Sequence, residues 1–156
     1  MGQARTFSER DKTMNTITLN VANRIIESAL DRGRELNLKP LSVAVLDAGG
    51  HLIAFQKQDG SSMLRFEIAF GKAYGALAVG SGSRWLNAAA AERVHFVQAL
   101  SGVSGGKIVP VPGGVLIRGE AGETLGAVGI SGDTSDNDEI CAAHAVEQVG
   151  LAADKG

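Results

Sequence analysis

The sequence predicts an α+β domain: a five-stranded, mostly antiparallel sheet with flanking helices, an α/β sandwich of profilin-like build. Three observations point there. Residues 41–46 (LSVAVL) and 51–56 (HLIAFQ) are apolar runs of strand length on either side of Asp47-Ala48-Gly49-Gly50, a turn that folds one back on the other. Residues 115–118 (VLIR) and 124–130 (TLGAVGI) flank a second polar, glycine-bearing turn, GEAGE. Between and around these hairpins the apolar residues recur at helical spacing. Tight turns inside each strand group favour antiparallel pairing, because parallel neighbours need a long crossover.

In chain order, Thr18 is a plausible N-cap for a helix over residues 19–37, with Leu19, Ala22, Ile26 and Ala29 on one face and Ile25 widening it. Pro40 ends the connection to the first hairpin. Asp59-Gly60-Ser61-Ser62 opens a second helix over residues 63–79. There Met63, Phe66, Phe70, Tyr74 and Leu77 form a continuous stripe that reads as core, and Gly71, Gly75 and Ala78 line a face open to close backbone approach. Gly80-Ser81-Gly82-Ser83 breaks that helix, and residues 84–100 are helical again in two pieces. Residues 108–111 read as a further short strand, stopped by Pro110 and Pro112 and so confined to an edge. A last helix over residues 136–148 starts at Ser135 as N-cap, its first-turn acids matching the positive end of the helix dipole.

At 156 residues the chain favours one domain, over residues 18–150, with a polar, mobile N-terminal tail at 1–17 and a C-terminal tail at 151–156. A net charge of −2 without any basic run argues against nucleic-acid binding and against a polybasic membrane patch. No apolar run reaches the roughly 18 residues of a membrane span. The polar N-terminus lacks the apolar segment of a signal peptide. One cysteine, Cys141, cannot form an internal disulfide, and a reducing, cytoplasmic setting is expected.

Chemistry-bearing residues are few. His51 opens a strand after two glycines, where a ring nitrogen could bind iron or donate to a ligand. Lys72, among small and aromatic residues, could hold a carboxylate or a propionate. Arg84 follows a glycine–serine loop at a helix start and could cradle an anion. Pro112, Gly113 and Gly114 offer backbone amides beside the second hairpin. Asp138 and Glu139 could be ligands or general acids, although a capped helix start needs such residues in any case. His95 and His144 read as packing or surface residues. No nucleophile elbow or serine–histidine–aspartate order is present.

Taken together, LSVAVLDAGGHLIAF, DG followed by IAFGKAYGA, VPVPGGVLI and GAVGISGDTSDNDE resemble the GlcG/HbpS family, and also the C-terminal domain of PduO-type corrinoid adenosyltransferases. The likeness runs from Thr18 to Val149. It implies a five-stranded antiparallel sheet, homo-oligomers and, in several relatives, haem. Its motif positions here are Asp47, Gly49, Gly50, His51, Asp59, Gly60, Lys72, Pro112, Gly113, Gly114, Gly129, Gly132, Asp138 and Glu139. No histidine precedes His51, so a family ligand in the first helix is missing and His51 is the remaining axial candidate. Three functions follow. The first is a haem-binding accessory protein with His51 on the metal. The second is a small-carboxylate binding protein or enzyme of a catabolic operon, using the turn amides, Lys72 and Glu139, the last two as candidate catalytic groups. The third is a ligand-free homo-oligomeric assembly module. His51 and Lys72 are expected to open on one crevice facing the Pro112 turn.

Overall fold

The structure, a computed structural model, describes residues 16–156. The tail predicted at 1–17 lies mostly outside these residues. The order is α1 (Leu19–Glu35), β1 (Ser42–Asp47), β2 (Leu52–Lys57), α2 (Arg65–Val79), α3 (Ser83–Glu92), α4 (Val94–Val103), β3 (Gly114–Arg118), β4 (Thr124–Ser131), α5 (Ser135–Gln148) and β5 (Ala152–Asp154). The sheet runs β2-β1-β4-β3-β5 with every neighbouring pair antiparallel. Both predicted hairpins form, and β1 joins them by pairing with β4 along its whole length, from Ser42 opposite Ser131 to Asp47 opposite Gly126.

The sheet is covered on both faces. Val43, Val45, Val115, Ile117, Val128 and Ile130 meet Ile25, Ile26, Cys141 and Val146 of α1 and α5 in one core. Leu46, Leu116 and Ala127 point the other way, onto Ala73 and Ala76 of α2. Alternation along each strand therefore buries both sets, which is why these strands read as unbroken apolar runs. A fully buried side chain such as Ile25 contributes ~1.5–3 kcal/mol over leaving it in water. Cys141, fully buried among these residues, has its thiol pushed up to about 11 by desolvation.

Four expectations are corrected. Residues 108–111 are not a strand. They lie along α2, where the Val109 amide donates to the Gly71 carbonyl at 3.1 Å. The fifth strand is instead Ala152–Asp154, in the segment read as a tail, clamped to β3 by Arg118, whose Nε and Nη2 donate to Asp154 Oδ2 at 3.0 and 2.7 Å. Leu19 and Met63 are exposed rather than core, since each precedes or only begins its helix's packed turns. The N-cap of α5 is Thr134, whose Oγ1 accepts from the Asn137 amide at 3.2 Å, one residue before Ser135.

The glycine face of α2 has an internal use. A Cβ on Gly71 would stand 2.5 Å from Val109 Cγ2 and 2.7 Å from the Lys107 carbonyl, and one on Gly75 would stand 2.9 Å from Leu86. The chain's own 107–109 segment and α3 fill that face, so Gly71 and Gly75 do not leave it open to a second subunit.

Candidate functional site

Five of the nominated elements converge where α2 crosses the ends of β3 and β4. Lys72 is 2% exposed, and its Nζ donates to Asp138 Oδ2 at 3.0 Å and to the Ile130 carbonyl at 2.9 Å. The second oxygen of Asp138 accepts from the Asp133 amide at 3.0 Å. Burial pushes the Lys72 ammonium down and the Asp138 carboxyl up, and the attraction between the two opposes both shifts. Asp133, which caps this corner, accepts from the Asn137 side chain and the Lys39 and Thr134 amides, and these bonds lower its carboxyl to about 2.

Next to Asp138 on α5, Glu139 is buried and accepts from Arg84 Nε at 3.0 and 3.2 Å, while Arg84 Nη2 reaches Asp136. Ser83, beside Arg84, bridges the Pro112 turn: its Oγ donates to the Val111 carbonyl at 2.7 Å and accepts from the Gly114 amide at 2.8 Å. Gly113 has φ 119°, a region in which only glycine is at ease, and a Cβ there would stand 2.9 Å from Lys72 Nζ. The cluster is therefore closed upon itself. Lys72, Asp138, Glu139 and Arg84 are each other's partners, which leaves Lys72 and Glu139 without the exposed face a carboxylate substrate needs.

His51 is elsewhere. Along β1, Val43 lies opposite Ile130, the partner of Lys72, whereas Asp47 at the His51 turn lies opposite Gly126. Four strand residues separate the two levels, about 13 Å. The His51 side chain is 81% exposed, and its Nδ1 stands 3.1 and 3.2 Å from the two oxygens of Asp47. Desolvation works against ionising Asp47, but the His51 and Gly49 amides and the His51 ring together hold its carboxyl below the ordinary value. An ionised carboxylate only accepts, so the Nδ1 facing Asp47 is the donor, which leaves Nε2, across the exposed ring, as the nitrogen available to a ligand. This is the arrangement that orients metal-binding histidines. Gly49 makes room for the folded-back ring, which a Cβ would meet at 2.9 Å, and Gly50, at φ 83°, lies against the Tyr74 ring.

From Tyr74 a line of half-buried rings runs along the flank of α2 to the edge strand. Tyr74 stacks on Phe70 at 5.7 Å, Phe70 meets Phe66 at 6.0 Å, and Phe66 meets Phe55 of β2 edge-on at 4.8 Å. Lys107 Nζ stands 5.4 Å above the Tyr74 ring. A cavity of about 150 Å³ between Gly49, Gly50, Tyr74, Leu77 and Ala78 links this face to the His51 turn. The stripe read as core is core in part: Phe70, Tyr74 and Leu77 pack against the buried cluster of Leu46, Ala73 and Ala76 yet stay half-exposed. Its spacing is that of a helix face, and spacing does not say how completely a neighbour covers that face. Asp47 was signalled as a motif position of the family resemblance but not as the partner of His51, and Lys107 by nothing in its surroundings. Among the described residues no group of three or more histidine, cysteine or acidic side chains could hold a metal ion by itself. No helix among them is long and apolar enough to cross a membrane.

A family model described as haem degrading protein HbpS-like matches residues 17–147. The chain belongs to the HbpS-like family. An uncharacterised 15.0 kDa protein from the dhaT–dhaS intergenic region of Citrobacter freundii is 27% identical to this HbpS-like chain over 140 residues, 88% of this chain and 95% of that protein. Solved structures share the fold. ORFY of Klebsiella pneumoniae has a TM-score of 0.80 at 23% identity, over 93% of this chain and 98% of its own. The PduOC–haem complex has 0.78 at 22%, over 88% and 97%, and HbpS has 0.74 at 22%, over 85% and 89%.

Proposed function

We propose that this HbpS-like chain binds haem on the aromatic face of α2, with His51 as an axial ligand. The observation that carries the proposal is the His51–Asp47 pair: an Nδ1 held by a carboxylate on an exposed ring, which leaves Nε2 for a ligand, and a tyrosine-bordered cavity beside it. The rings of Tyr74, Phe70 and Phe66 suit a flat apolar macrocycle, and Lys107 at the same edge suits a propionate. The propionate role considered for Lys72 passes to Lys107, because Lys72 is buried and paired. Bound haem would supply iron-centred ligand and redox chemistry; the chain positions it and shields one of its faces. A homo-oligomer, which the family resemblance implies, would supply a wall for the other. The family's description and the haem complex of a structural neighbour support this reading.

Titration with hemin tests it. The wild type is expected to give a sharp Soret band that saturates at one haem per chain. His51→Ala is expected to lose the low-spin spectrum, and Lys107→Ala to bind more weakly by ~1 kcal/mol or less, as an exposed ion pair should. An unchanged spectrum and affinity in His51→Ala would overturn the assignment.

A further inference from the structure

A cleft apart from the His51 turn and the aromatic face lies on the far side of the Lys39–Asp133 corner. It has a volume of about 450 Å³ and lies between the end of α1 and the edge strand β2. That volume is within the range of small-molecule sites. Leu30 and Leu38 provide its apolar lining, and Arg34, Lys57, Gln58 and Asp59 its polar groups.

Gln58 is the informative residue. Its Oε1 accepts from the Leu41 amide at 2.7 Å, which fixes the side chain and settles which amide atom is which. The Nε2 group is thereby a donor held in place beside the cleft, with no hydrogen-bond partner among the described residues. Lys57 next to it has no ion-pair or hydrogen-bond partner among the described residues, and Asp59 likewise has none. Arg34 gives one nitrogen to Asp31 at 2.8 Å and keeps its other donors. A fixed amide donor flanked by two cations selects an anion, and a lone carboxylate beside them selects a ligand that also carries a donor. The apolar lining suits a short carbon body.

We infer that this cleft binds a small carboxylate bearing a hydroxyl group, its carboxylate at Gln58 Nε2 and Lys57 and its hydroxyl at Asp59. The site is independent of the haem face: none of its residues belongs to α2 or to the His51 turn.

The haem-free protein, isotopically labelled, is titrated with 3-hydroxybutyrate and, separately, with 1,3-butanediol, and followed by amide NMR. Saturable shifts of the Gln58 side-chain amide and of the backbone amides of residues 56–59 are expected with the acid and not with the diol. Gln58→Glu keeps the acceptor for Leu41 while replacing the donor with a negative charge. It and Lys57→Gln are each expected to raise Kd at least about tenfold. His51→Ala is expected to leave Kd unchanged, so failure of the haem reading is seen separately. Absence of saturable shifts at these amides, equal binding of the diol, or unchanged affinity in Gln58→Glu would overturn the inference.

Discussion

Lys72→Ala is expected to destabilise the protein by about 3–5 kcal/mol, the size of effect seen when one partner of a buried ion pair is removed. The variant leaves Asp138, 1% exposed, facing the Ile130 carbonyl with no cation between them. The loss is electrostatic first and steric second, and a companion variant separates the two. Lys72→Met with Asp138→Asn keeps most of the volume, leaves no buried charge, and retains an acceptor for the Asp133 amide. It is expected to recover most of the stability, because buried pairs replaced as a pair cost little. Urea denaturation of the wild type, Lys72→Met, Asp138→Asn and the double variant measures the coupling directly. Equal midpoints for Lys72→Ala and the wild type would show that the pair does not matter to the fold.

The second large effect is expected at Gly114. A Cβ there would stand 2.1 Å from the Lys72 carbonyl and 2.4 Å from its carbon, both backbone atoms of α2 that no rotamer change can move. Gly114→Val is therefore expected to lower the melting temperature by more than ten degrees or to prevent folding, an overpacking penalty of roughly 3 kcal/mol or more. Gly122→Ala is the control. Nothing lies within 4 Å of its added Cβ, and its cost is confined to the φ of 80°, on the order of 1 kcal/mol. Thermal unfolding of the two variants side by side checks the difference, and equal melting temperatures would contradict it.

Both hairpins and the two-piece helix after Gly80 were legible because turn chemistry and helical spacing are local signals, and the family was legible from the resemblance of its sequence motifs. The fifth strand was not. Ala152–Asp154 is three residues without alternation, and it becomes a strand because Arg118 holds Asp154 and β3 offers an unpaired edge. Residues 108–111 have β-branched residues and prolines, the look of an edge strand, yet Gly71 and Gly75 draw them onto a helix. At the site, Lys72, Arg84, Asp138, Glu139 and the Pro112 turn were each nominated separately, and the fold brings them together. Their mutual pairing was hidden, since charge spacing along a chain does not say which side chains meet. The shared crevice for His51 and Lys72 failed on direction: Lys72 faces the Ile130 end of the sheet, and the next helix positions carry Tyr74 toward the His51 turn.

The closeness of α2 to the sheet bears on motion. A Cβ on Gly129 would stand 1.9 Å from the Ala69 carbonyl, as one on Gly114 would at Lys72, so helix and strands touch backbone to backbone at two points. Most helix–sheet pairs are separated by a layer of side chains that can rotate and let one element slide over the other. Here that layer, made by Leu46 and Leu116 on Ala73 and Ala76, is interrupted at Gly114 and Gly129, and Lys72 pins the same contact. Sliding or tilting of α2 would have to break the contact outright, so its sheet-side amides should exchange with solvent only through opening of the whole domain. The aromatic rings on its flank are then carried by a helix held backbone to backbone against the sheet, and a flat ligand laid on them would meet a surface already in its final shape.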